Sequence, residues 1–176
     1  MLQRIPDRVD PWRLAEQEET LEGRMKVGSL PRLSPLLADA NGEAAFVLTF
    51  AKDRQHRLII ALKVDADLTI ECQRCLGPMV KTISSSTRFA RVRGLMEAEQ
   101  LPKDLDPLVL EDGQYLEIAE LVEDELILGI PTSPRHDDQH CNRQLDAQAQ
   151  PLPETEPKEI NPFAILASLQ TDKNDN

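Results

Sequence analysis

Aromatic side chains are scarce in this sequence: one Trp, one Tyr and four Phe, or 3% of 176 residues. That shortage excludes an extended platform on which bases or sugars stack. No apolar run approaches the ~20 residues that a membrane-spanning helix needs. Met1–Asp7 carries no signal-peptide apolar region. Three cysteines are an odd number, which excludes a complete disulfide framework. The Gly-rich phosphate loop, the Gly-x-Ser-x-Gly elbow and the His-Glu-x-x-His helix are all missing. The expectation is a non-catalytic, cytoplasmic, bacterial-type chain with reduced thiols and no membrane partner.

Positive charge is also in short supply. Twenty Lys and Arg face 31 Asp and Glu, giving a formal net charge of −11 and a pI near 4.7. Such a chain repels phosphate backbones on average and suits a basic partner. The imbalance is uneven. Residues 51–94 hold nine Lys/Arg against four Asp/Glu, whereas residues 95–130 hold one Lys against eleven Asp/Glu. The basic block reads in two ways. It is an RNA-facing strand surface with Arg57, Arg74, Lys81, Arg88, Arg91 and Arg93 as contacts, or it neutralises the acidic segment within the same fold. In the acidic block, Glu117, Glu120, Glu123, Asp124 and Glu125 are candidates to bind a basic partner by electrostatic complementarity.

Length and a 40% hydrophobic fraction fit one domain with loose ends. Residues 1–40 read as an N-terminal arm. Asp10 as N-cap and Pro11 at the first helical position start a short helix within Trp12–Leu21, and Trp12 anchors the arm. Residues 41–142 read as an α+β core. Phe46, Leu48 and Phe50 alternate with Val47 and Thr49, and a charged loop follows at Lys52–Arg57. Leu58, Ile60, Leu62, Val64, Ala66, Leu68, Ile70 and Cys72 then occupy every second position. That period sends one face inward and the other to water. After a turn over Gln73–Pro78, the weakly apolar return strand Met79–Val92 reads as an edge or partly solvated strand.

The predicted fold is therefore an antiparallel sheet over residues 43–93, with closure into a barrel as one option. One main amphipathic helix at 116–128 packs it. Ile118, Leu121, Val122, Leu126 and Leu128 share the apolar arc, and Gly129 and Pro131 end the helix. Glu125 falls near the centre of that arc, where a carboxylate needs a partner such as an Arg from the sheet. Residues 95–114 read as loop with a short strand at Leu108–Leu110. Residues 143–160 read as a flexible linker. Residues 161–170 read as a short C-terminal helix started by Asn161 and Pro162, docking on the sheet or on a partner. Residues 171–176 read as a disordered tail.

The chemistry centres on Leu68-Thr69-Ile70-Glu71-Cys72-Gln73-Arg74-Cys75-Leu76-Gly77-Pro78. A thioredoxin-like redox pair opens a helix after a strand, whereas here Gly77, Pro78 and a second strand follow. Zinc takes about four Cys or His ligands in a tetrahedron. Cys72 and Cys75 supply two, and Cys141 with His136 or His140 completes the set. The tentative metal ligands are Cys72, Cys75, His136 and Cys141, with structural zinc as the ion. The plainer reading makes Cys72 a small buried hydrophobe. An RNA-processing enzyme using Cys72 or Cys75 as nucleophile, or Glu125 as acid, is the remaining alternative, and no local sequence feature builds an oxyanion hole for it.

Four stretches together carry a resemblance. They are Leu68–Cys75, Leu121–Leu128, Pro134–Cys141 (Pro-Arg-His-Asp-Asp-Gln-His-Cys) and Asn161–Leu169 (Asn-Pro-Phe-Ala-Ile-Leu-Ala-Ser-Leu). In this order the chain resembles the bacterial large ribosomal RNA subunit accumulation protein (YceD) family. The resemblance implies a role in accumulating the large-subunit (23S) ribosomal RNA, and so in ribosome biogenesis. It implies a basic large-subunit ribosomal protein or precursor particle as partner, because the family's gene often neighbours that of a small zinc-ribbon ribosomal protein. Direct contact with ribosomal RNA is the alternative. Other branches of the family carry a longer cysteine-rich segment where this chain has only Cys141. The family brings no established catalytic residues.

Overall fold

The computed structural model describes residues 6–142. The expected linker at 143–160, helix at 161–170 and tail at 171–176 lie outside the described residues. The perfect alternation after the charged loop becomes the central strand of the fold, β4 (Leu58–Glu71). On its inward face Leu62, Val64, Leu68 and Ile70 are at most 1% exposed. Each such side chain stabilises the fold by about 1.5–3 kcal/mol through removal from water. β3 (Glu43–Lys52) and β5 (Pro78–Val92) flank it antiparallel, in registers that pair Leu48 with Leu62 and Ile60 with Phe89.

Two further strands extend the sheet. β2 (Thr20–Lys26) pairs antiparallel with β3, and β6 (Asp106–Val109) pairs parallel with β5. The order is β2-β3-β4-β5-β6. The antiparallel α+β expectation thus holds in its main part, but the sheet is open and does not form a barrel. Closure needs the first and last strands to pair along their length. Here the last strand has four residues and runs parallel to its only neighbour in the sheet. β5, expected as an edge or partly solvated strand, is open on one side over most of its length; β6 pairs only with its last four residues, Phe89–Val92. The N-terminal segment read as an arm also supplies β2, and its Val27, Leu30 and Leu33 are buried.

A two-stranded ladder joins β1 (Arg8–Val9) to β7 (Leu116–Glu117). Between β1 and β2 lies α1 (Pro11–Glu16). Asp10 caps it, accepting from the backbone N–H of Trp12 at 3.0 Å and Arg13 at 3.1 Å. It is shorter than the expected span because Glu18 turns through a positive φ of 51°. After β5 comes the single turn α2 (Leu95–Ala98). The main helix, α3 (Ile118–Gly129), lies on β4 and β5 with Ile118, Leu121, Val122 and Leu126 buried. Leu128, assigned to that arc, is exposed at 78%. Gly129 lets the helix end settle on the sheet: a Cβ there would run into Ile83 of β5. Among the described residues no helix is long and apolar enough to cross a membrane.

Candidate metal centre

Strand alternation carries Cys72 to the inward face at the end of β4, where it is fully buried. The chain then reverses. Cys72 donates its backbone N–H to Gly77 O at 2.9 Å, Leu76 donates back to Cys72 O at 2.9 Å, and Leu76 takes a φ of +59°. This tight turn brings Cys75 back beside Cys72. After α3, the extended connector from Ile130 runs alongside the turn, and Gln73 donates its N–H to Pro134 O at 2.8 Å. That bond fixes the register of the connector, so that His136 meets Cys75 at 3.4 Å from Nδ1 to Sγ. Two more bonds hold the last member. Cys141 donates its N–H to Asp138 O at 3.3 Å, and Arg74 donates from Nη1 to the same carbonyl at 2.9 Å. Cys141 Sγ then lies 3.9 Å from Cys72 Sγ, and both thiols are free.

The ligand atoms of Cys72, Cys75, His136 and Cys141 all lie within 4.8 Å of one another. A tetrahedron with metal–sulfur bonds near 2.3 Å has sulfur–sulfur edges of about 3.8 Å. The 3.9 Å between the Cys72 and Cys141 sulfurs is close to that edge, and the 3.4 Å from Cys75 Sγ to His136 Nδ1 suits the shorter sulfur–nitrogen edge. His136 Nε2 sits 3.2 Å from Pro78 O. A proton on Nε2, donated to this carbonyl, leaves the Nδ1 lone pair free to face the thiols, the arrangement that orients metal-binding histidines. The backbone also favours sulfur charge. Burial pushes the Cys72 thiol up, but the N–H groups of Cys75, His136 and Arg74 outweigh it and bring the thiol down to about 5. Burial and the neighbouring thiols push Cys141 up. This Cys3His group can bind a metal ion. His140 is not in it; its backbone N–H donates to Asp138 Oδ1 at 2.9 Å.

The family described as Large ribosomal RNA subunit accumulation protein YceD matches residues 60–170. A relative from Haemophilus influenzae (strain ATCC 51907 / DSM 11121 / KW20 / Rd), named Large ribosomal RNA subunit accumulation protein YceD, is 32% identical over 170 residues. Those residues cover 95% of this chain and 97% of the relative. The chain belongs to the YceD family. No solved structure matches it. All of Cys72, Cys75, His136 and Cys141 fall within the stretch matched to the YceD family.

The acidic candidates of this YceD-family chain divide in two. Glu123 and Glu125, at 2% and 6% exposure, are interior residues and are unavailable to a partner. Glu123 accepts from the backbone N–H of Arg32 at 2.7 Å and Leu33 at 3.0 Å, and from Arg32 Nε at 2.9 Å. Burial pushes its carboxyl up, but these donors outweigh burial and hold it below the usual carboxylate range. Glu125 does not meet the expected arginine. Its Oε2 accepts from Ser85 Oγ at 2.6 Å and Thr87 Oγ1 at 2.7 Å. The other three are at the surface. Glu117 pairs with Arg8 and Asp124 with Arg32. With Glu120 they line a groove of about 400 Å³ that also presents Val109 and Tyr115, each 60% exposed.

The basic candidates do not make one surface. Lys81, near the start of β5, and Arg93, just past its end, are about 40 Å apart along an extended strand. Strand parity puts Arg88 on the opposite face from Arg91 and Arg93, and Arg88 pairs with Asp104 at 2.9 Å. Arg74 belongs to the metal centre. Arg57, Arg91 and Arg93 do come together, around a second pocket that also takes in Trp12 and His56. Sequence reasoning did not foresee that Trp12 and His56 would join them, because α1 and the β3–β4 loop are distant in the chain from the end of β5.

Proposed function

We propose that this YceD-family chain supports accumulation of large-subunit ribosomal RNA as a non-catalytic assembly factor. In this reading it engages a basic large-subunit ribosomal protein, free or in a precursor particle, through the groove between β6–β7 and α3. The observation that carries the reading is the pairing of Glu117, Glu120 and Asp124 with exposed Val109 and Tyr115 in one groove. Carboxylates at a rim attract and orient a basic segment, while the exposed side chains supply apolar area at its centre. The printed name of the Haemophilus influenzae relative supplies the process. The cytoplasm is the compartment, whose reducing conditions keep the thiols free.

We infer that the ion of the Cys3His centre is zinc, held as a structural link between the β4–β5 turn and the connector after α3. Three soft sulfurs and one imidazole in a closed tetrahedral set favour zinc over hard cations. The partner reading is tested by pull-down of the full chain at moderate salt. Wild-type chain recovers a basic large-subunit protein, and Glu120→Lys combined with Tyr115→Ala loses it and lowers large-subunit RNA in cells. Equal recovery by both chains, with unchanged RNA levels, would contradict the reading.

A further inference from the structure

Trp12 is the sole tryptophan of the chain, and it is neither fully buried nor isolated. The guanidinium carbon of Arg91 lies 5.7 Å from its ring centroid, a cation–π pair. The pair forms one wall of a pocket of about 420 Å³, with His56, Arg57 and Arg93 around it. Three separate elements build it: α1 brings Trp12, the β3–β4 loop brings His56 and Arg57, and the end of β5 brings Arg91 and Arg93.

The arginines are held in place without being saturated. Asp53 takes Arg57 Nε at 2.7 Å, and neither Nη of Arg57 has an acceptor among the described residues. Arg91 donates from Nε to Leu110 O at 2.8 Å and from Nη2 to Asp112 at 2.7 Å. Arg93 is the loosest. Its side chain is 67% exposed, and its nearest carboxylate oxygen, on Asp112, is 3.7 Å away. The pocket's one acid, Glu97, is engaged by the backbone N–H of Arg93 at 2.8 Å. Two amides, Gln55 and Gln100, also face the space.

We propose that this pocket binds one nucleotide of a single-stranded RNA segment, with the base against the Trp12–Arg91 wall and its phosphates on Arg57 and Arg93. An aromatic–guanidinium wall takes any base face, and open guanidinium donors match phosphate oxygens. The volume falls in the range of small-ligand pockets. The pocket and the acidic groove have no lining residue in common and are tested by different readouts, so failure here leaves the ribosomal-protein reading untouched.

Trp12 is itself the probe. A short single-stranded RNA, titrated into the full chain at low salt, quenches Trp12 emission saturably. The logarithm of affinity falls with the logarithm of salt at a slope of about −0.7 for each phosphate neutralised, so about −1.4 for two. Arg93→Glu weakens binding at least about tenfold, as expected for loss of a charge-assisted phosphate contact. Arg93→Glu leaves the far-ultraviolet spectrum unchanged, because the Arg93 side chain is exposed. Groove-dependent pull-down is unaffected by Arg93→Glu. No emission change, quenching that survives Arg93→Glu, or displacement by inorganic pyrophosphate at the same concentration as RNA would each overturn the proposal.

Discussion

Glu125 is where local and tertiary chemistry are easiest to separate. Helix phase alone put a carboxylate on the buried face of α3, and burial requires it to be satisfied. Its partners, Ser85 and Thr87, lie about 40 residues upstream on β5, so their identity was not legible. Glu125→Ala removes the acceptor from both hydroxyls and leaves a cavity. It should destabilise the chain by about 2 kcal/mol in denaturant unfolding, whereas Glu125→Gln, which keeps one acceptor oxygen, should lose less. Glu123 carries part of the acid sensitivity. Its carboxyl is held below the ordinary glutamate value of 4.5, so its stabilisation is complete above that value and is lost as pH falls through the lower folded one. Melting temperatures should therefore drop between pH 5 and pH 3 more steeply in wild type than in Glu123→Gln. Parallel curves would contradict this.

Strands were legible in proportion to how completely they are buried. β4 sits between two neighbours under a helix, and its even positions form an uninterrupted apolar series. β2 is an edge strand whose inward positions, Leu21, Gly23 and Met25, are only half-buried. Its pattern was too weak to stand out from a loop. β6, expected at Leu108–Leu110, lies at Asp106–Val109, and its parallel pairing to β5 depends on a return path through 93–105 that has no periodic signature. In α3 the segment around Arg32 covers one flank, burying Glu123, while Leu128 is left outside. The close seat of α3 on β5 is testable at Gly129. Gly129→Ala forces a Cβ against Ile83, and it should cost about 1–3 kcal/mol by overpacking, although alanine is the better helix former. A neutral or stabilising result would mean that the helix end does not approach the sheet so closely.

At the scale of the molecule, charge segregation along the sequence is partly resolved by folding. Arg88 meets Asp104, Arg91 meets Asp112, and Arg32 meets Glu123 and Asp124. The exposed pairs among these stabilise little, about 0–1 kcal/mol each; their effect is to leave Glu120 and its groove as the open acidic surface. The ligand set of the metal centre was readable as residue types, from the Cys-x-x-Cys turn and the downstream cluster. His136 was among the tentative ligands, and the bond between Gln73 and Pro134 O is what brings it, and not His140, to Cys75. If zinc links the β4–β5 turn to the connector as proposed, a strong chelator should speed hydrogen exchange at the N–H groups of Gln73 and Cys141, and leave β4 protected.

Metal content of the full chain, purified under reducing conditions without chelator, tests this centre most directly. The account predicts one zinc ion per chain, retained on dialysis and lost in Cys75→Ser and His136→Ala chains that keep the wild-type sheet signature. A metal-free chain after growth and purification in the presence of zinc, with its connector as well protected as its sheet, would contradict it.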